Sequence, residues 1–94
     1  MVLAVDLHLP MAQSLKDKRA LIQPIVTGAR QRFGVSAAEV DHQDLHQRAG
    51  LAMASVGSSP RHLTDLAEQV ERWIWSHGGV EVASCSRHWC EPEL

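Results

Sequence analysis

Leu3, Val5, Leu7 and Leu9 alternate with Val2, Ala4, Asp6 and His8, and no other feature constrains this chain more. Strict alternation places every strongly apolar residue of a strand on one face. Such a face must be covered, and the chain supplies a cover at once. Beyond Pro10, the residues Leu15, Ile22, Ile25, Val26, Ala29 and Phe33 recur at helical spacing, the stripe of an amphipathic helix. Ser14 is expected to cap this helix, with Asp17 three residues on completing a capping box, and Gly34 to stop it. Pro24 removes one backbone donor and is expected to kink the helix near residue 20. The stripe keeps its phase through the proline, so one helix is expected.

The rest of the chain continues in the same idiom. Val35 to His42 and Arg48 to Val56 read as strands, joined by a polar stretch from Asp41 to Gln47 short enough for a hairpin connection. Gly57-Ser58-Ser59-Pro60 reads as a turn in which Ser59 caps and Pro60 takes the first helical position. Leu63, Leu66, Ala67, Val70, Trp73 and Ile74 form a second apolar stripe, closed by Gly78-Gly79. Val80 to about Trp89 is the last expected strand. The order strand-helix-strand-strand-helix-strand is the ferredoxin-like α+β pattern, an antiparallel sheet with both helices on one face. One such domain over residues 1–90 is expected, with a frayed tail at 91–94.

Composition narrows function mainly by exclusion. A chain of 94 residues buries only roughly 60–65% of its unfolded surface, so its core is thin. With 45% hydrophobic and 21% charged residues it is globular in class, and its net charge of −2 removes the simplest argument for nucleic-acid binding. No apolar run approaches the about 20 residues that span a bilayer. The opening Met1-Val2-Leu3-Ala4-Val5 is broken by Asp6 and His8 and lacks a basic flank, so a cytoplasmic protein without a signal peptide is expected. Cys85 and Cys90, if joined by extended chain, lie about 16 Å apart, too far for a disulfide, and are expected to be free thiols. A metal site from Cys85, His88 and Cys90 lacks the usual spacer and a fourth ligand. No metal or cofactor is expected.

The topology nevertheless concentrates polar residues. In this fold the start of the first helix, the tip of the strand 2–3 hairpin and the end of the second helix share one end of the sheet. Lys16, Lys18 and Arg19, the segment Asp41, His42, Gln43, Asp44, His46, Gln47 and Arg48, and Ser76-His77-Gly78 are expected to meet there. Three cations in a first helical turn oppose the macrodipole, which suggests that they answer some other group. His42 and His46 would suit a transition ion on a helix, but in a hairpin the four-residue spacing loses that meaning. Asp41 beside His42 is a familiar orienter–base pairing, yet neighbours in a strand point to opposite faces. Trp75 falls to the side of Glu68 and Glu71, where it either marks an interface or laps over the core edge.

The helix-free face of the sheet is a second expectation. Strand 3 offers Gly50, Ala52, Ala54 and Val56 on one side and Leu51, Met53 and Ser55 on the other, and neither side is polar. An uncovered apolar face is an association surface. A homodimer through that face or an edge strand is therefore expected.

At Ser14-Leu15-Lys16-Asp17-Lys18-Arg19 and at Ala38-Glu39-Val40-Asp41-His42-Gln43-Asp44-Leu45-His46-Gln47-Arg48-Ala49, the chain resembles the YlxP-like family of small bacterial proteins. The resemblance runs from Val2 to about Trp89. It departs at His46, where many relatives carry a bulky aromatic, and in the Cys85–Cys90 tail. It implies a ferredoxin-like fold, no assigned activity, and a cytoplasmic role near RNA or the ribosome. The leading expectation is a non-enzymatic binding module, a dimer that touches RNA or a ribosome-associated protein through that polar end. In it Lys16, Lys18, Arg19 and Arg48 contact phosphate, and Gln43 and Gln47 donate hydrogen bonds. Against it stand the net charge and an aromatic content of 4%, with no stacking platform on the strands. The alternatives are a small enzyme using Asp41, His42 and Asp44 as acid–base residues, and a structural subunit that pairs through its sheet.

Overall fold

A computed structural model of the chain describes residues 1–93; Leu94, the last residue of the expected tail, lies outside the described residues. The elements follow the expected order: β1 (Val2–His8), α1 (Leu15–Phe33), β2 (Ser36–Asp41), β3 (Arg48–Ala54), α2 (Pro60–Trp75) and β4 (Glu81–His88). The strands lie in the order β2-β3-β1-β4, every neighbouring pair antiparallel. Leu3, Val5 and Leu7 of β1 and Leu51 and Met53 of β3 pack with Ile22, Ile25 and Ala29 of α1 and Val70 and Ile74 of α2 in one core. Both helices therefore cover one face. This is the ferredoxin-like α+β fold.

Local chemistry sets the helix ends. The Ser14 hydroxyl accepts the Asp17 N–H at 3.0 Å, while the Asp17 carboxylate reaches past the cap to accept the Gln13 N–H at 2.9 Å, one residue beyond the capping-box partner. Gly34 ends α1 in the left-handed region at φ 67°, where a side chain is disfavoured. The Ser59 hydroxyl accepts the His62 N–H at 3.2 Å, and Pro60 opens α2. Helix α1 runs unbroken through Pro24. At Gly28 an added Cβ would lie 2.7 Å from Cη2 of Trp73, so the indole of α2 occupies a notch that only glycine leaves in α1.

The expected strands shorten at their ends: β2 leaves out Val35 and His42, β4 leaves out Val80 and Trp89, and β3 and β1 are also shorter. β3 stops at Ala54 and not at Val56, which is 99% exposed. At this end the Met1 ammonium donates to the Ser55 carbonyl and the Ser55 N–H to the Met1 carbonyl, each at 3.0 Å. Leu9, expected in β1, lies just beyond it, yet it is fully buried and its N–H donates to the Gln47 carbonyl at 2.9 Å.

Both edge strands carry a bulge, and each turns side chains over. In β2 the register passes from Glu39 opposite Leu51 to Asp41 opposite Gly50, leaving Val40 as the extra residue. Glu39 consequently faces the helices and Asp41 the open side. In β4 the register passes from Val82 opposite Leu7 to Ser84 opposite Asp6, with Ala83 extra. The parity of β3 is also clear: Leu51 and Met53 are core, while Ala52 and Ala54 face away from the helices.

Candidate functional site

The start of α1 and the β2–β3 hairpin do meet, and Lys18 joins them. Its ammonium donates to the carbonyls of His42 at 2.8 Å, Gln43 at 3.3 Å and Arg48 at 3.2 Å. It also lies 2.8 Å from the Glu39 carboxylate. Three N–H donors thus face four acceptors, and the residue is only 2% exposed. This corrects the expectation of a surface cation reaching phosphate: Lys18 is sealed beneath the hairpin and holds its two ends. Here is the group that a first-turn cation answers. Glu39 Oε2 is itself buried, and its contact with Lys18 is at ion-pair distance without hydrogen-bond alignment.

The loop is secured from both flanks. Gln47 donates its side-chain amide to the carbonyls of Ala12 at 3.2 Å and Pro10 at 3.4 Å, tying the entry to α1 against the hairpin. The Arg48 guanidinium pairs with the Asp6 carboxylate across β3 and β1. His42 adopts φ 60°, and the Leu45 N–H donates to its carbonyl at 3.0 Å. That left-handed turn brings its ring back over its neighbour, so Nε2 lies 3.6 Å from Asp41 Oδ2 while the His42 N–H donates to Asp41 Oδ1 at 2.8 Å. Adjacent residues therefore converge, contrary to the expectation for a regular strand. Lys16, Arg19, Gln43, Asp44 and His46 stand exposed around this scaffold. Ser76-His77-Gly78 does not join them through any hydrogen bond or ion pair among the described residues. His77 instead bonds through Nδ1 to the Trp73 carbonyl at 2.9 Å.

On the open face the bulges assemble a row not anticipated from sequence. Asp41, Gly50, Asp6 and Ser84 lie side by side across the four strands. A Cβ on residue 50 would come within 2.7 Å of the Asp41 Cβ, so glycine is needed for Asp41 to stand there. With His42 and Ser86 this row borders a shallow groove of about 200 Å³ whose lining does not include Asp44. Asp6 Oδ1 is buried in the row without a hydrogen-bond partner. The signal available in sequence was Asp6 itself, the lone carboxylate on a strand face shared with Val2, Ala4 and His8. Among the described residues no three His, Cys, Asp or Glu side chains converge as metal ligands.

A second polar cluster ties β4 to α2. Arg87 donates through Nε and an Nη to the two oxygens of Glu71 at 3.2 and 3.1 Å, a bidentate pair. The Arg87 hydrogen bonds hold the Glu71 carboxyl below its ordinary value, and Glu71 in turn raises Arg87. Cys85 donates to Glu71 Oε1 at 3.3 Å. Cys85 is exposed as a residue, yet partial burial of its sulfur, reinforced by the Glu71 carboxylate, pushes the thiol up to about 12. Both cysteines are free, as expected. Trp75 is 66% exposed and does not lap over the core.

Comparison with known proteins gives a family for the chain. Residues 1–87 match the family model described as "Protein of unknown function (DUF503)". Over 78 residues the chain is 33% identical to "Uncharacterized protein YlxP" of Bacillus subtilis (strain 168), covering 83% of this chain and 85% of that protein. The clamped hairpin and the helix start that holds it fall within the matched span, and the chain belongs to the DUF503, YlxP-like family, whose function is unassigned.

Proposed function

We propose that this chain is a non-enzymatic binding module of the cytoplasm, one domain over residues 1–90, that docks on RNA in the setting of ribosome maturation. The observation that carries this reading is the Lys18 clamp. Burying an ammonium costs several kcal/mol of desolvation, and here that cost is offset by contacts to loop carbonyls and Glu39. An ordinary hairpin needs no such device; one whose shape is read by a partner does. Lys16 and Arg19 are exposed cations on this scaffold, with Gln43, Asp44 and His46 offering hydrogen bonds and Arg48 half-exposed beside them. Lys18 and Gln47 act from beneath as positioning residues. The acid–base alternative rests on Asp41 and His42, and Asp44 does not line their groove.

Filter binding of a short structured RNA across a salt series tests the proposal. Affinity should fall as salt rises, with a slope set by the few phosphates contacted, and Lys16→Ala with Arg19→Ala should lower both affinity and slope. Undetectable binding at low salt, or binding indifferent to salt, overturns it.

A second reading, a homodimer through the helix-free face, is favoured by the observed parity. Val2, Ala4, Ala38, Ala52 and Ala54 occupy neighbouring register positions on the open side, small enough for two faces to approach closely. Sedimentation equilibrium at micromolar concentration should give twice the monomer mass, and Ala52→Lys should return it to the monomer. A monomer at high concentration removes this reading.

A further inference from the structure

On the side of the molecule away from the open sheet face, the two helices border an open cleft of about 270 Å³ lined by Arg32, Phe33, Gln69, Arg72 and Trp73. Trp73 is pressed into the Gly28 notch and meets Phe33 edge-to-face, with ring centroids 5.6 Å apart at 75°. The aromatic floor is therefore fixed before any ligand arrives. Arg32 lies over the Phe33 ring, its guanidinium carbon 5.8 Å from the centroid. Neither Arg32 nor Arg72 pairs with a carboxylate among the described residues. Both are exposed, unlike the buried Lys18 and the half-buried Arg87, which are paired. Two guanidinium groups without a carboxylate partner give this cleft a positive lining, to which an anion is drawn. Guanidinium forks match phosphate oxygens in particular. Gln69 adds an amide on the rim, a donor and an acceptor side by side, which suits the edge of a nucleobase.

We infer that this cleft binds a nucleoside monophosphate unit, with the phosphate on Arg32 and Arg72, the base against Phe33 and Trp73, and its edge on Gln69. Size is consistent with that occupant. A cavity of about 150 Å³ takes a benzene ring, so the cleft has space for a ring and a phosphate group together. The unit could be a free nucleotide or one residue of an RNA strand, and the chemistry of recognition is the same. The cleft lies on the helix layer and shares no residue with the clamped hairpin, so the inference stands or falls apart from the function proposed there.

Calorimetric titration of the full chain at low salt provides the test, with AMP, adenosine, inorganic phosphate and a short oligoadenylate as probes. AMP should bind at least tenfold more tightly than adenosine or phosphate alone, because each of these lacks one half of the recognised unit. Arg32→Ala and Arg72→Ala should each weaken AMP at least tenfold, and Arg32→Lys or Arg72→Lys should restore only part of that loss. All four changes are at exposed positions, and circular dichroism checks that each variant folds. Oligoadenylate binding more tightly than AMP with the same arginine dependence identifies a strand as the source; equal or weaker binding identifies the free nucleotide. Phosphate binding as tightly as AMP, absence of AMP binding, or AMP affinity unchanged in the Arg32→Ala/Arg72→Ala double variant overturns the inference.

Discussion

Two ion pairs each tie a helix to an edge strand, and they differ in nearly everything else. Lys18–Glu39 joins α1 to β2 with the ammonium sealed from water; Glu71–Arg87 joins α2 to β4 with both side chains more than a quarter exposed. The Lys18 ammonium has three further backbone carbonyls around it, whereas Glu71 has only the Cys85 thiol besides its arginine. Geometry alone would rank the second pair higher, because it is bidentate. Environment reverses the order. Water screens what it can reach, and a buried charge left alone has nowhere to turn. The pair that holds the β2–β3 hairpin is the one that the fold can least do without.

That ranking is open to direct attack. Lys18→Met should have the largest effect, a loss of about 3–5 kcal/mol, because it strands Glu39 and three carbonyls at once. Since the whole domain has only about 5–14 kcal/mol to lose, urea unfolding should be accompanied by hydrogen exchange, in which the amides of residues 42–47 lose protection first. A cost below about 1 kcal/mol would mean that the hairpin holds itself. Glu39→Gln should cost less, about 1.5 kcal/mol, since the carbonyls keep their ammonium. If it matched Lys18→Met, the carboxylate and not the loop would be what Lys18 serves.

On the other edge, Glu71→Gln should cost at most about 1 kcal/mol, and high salt should shrink the difference from wild type. The pH dependence has a definite sign. Arg87 lowers the folded-state value of Glu71 from its ordinary 4.5, so the folded state resists protonation more than the unfolded one. The resulting stability is fully present above the ordinary value and is lost as pH falls through the lowered one. Acid unfolding should therefore be less steep in Glu71→Gln over that window, and identical profiles would show that the pair contributes nothing. The smallest effect on stability should be the most selective chemically. With its thiol pushed up to about 12, Cys85 should alkylate at pH 8 at least tenfold more slowly than in the urea-unfolded chain. Glu71→Gln should recover part of that rate, because the carboxylate is the second cause after burial.

Much of the fold was readable because its signals are periodic. The alternation through Leu9 and the stripes of both helices outlast any local exception, and each cap is a short-range motif with its own donor and acceptor. The site was harder. Lys18 reads as solvated charge if its type is considered alone, yet it stands four residues before Ile22 and seven before Ile25, on the buried stripe. Extending the stripe one turn toward the N-terminus would have found it, whereas Leu15, taken as the first member, is 40% exposed. Asp41 was beyond reach for a different reason. Its orientation depends on a bulge at Val40, and no residue type announces a bulge in this segment. Val56 continues the apolar alternation of β3 but lies beyond its last pair, Val2 opposite Ala54, a limit set in space and not along the sequence.

The bulges at Val40 and Ala83 occupy opposite borders of the sheet. A flat border offers another chain a row of free backbone donors and acceptors, and from there a sheet can grow without limit. Each extra residue breaks the regular spacing on which such templating depends, at both places where this molecule could propagate. Runaway polymerisation is thereby opposed from either side. Contacts made through side chains, on faces and in clefts, remain open to it, and these come in finite, specific sets.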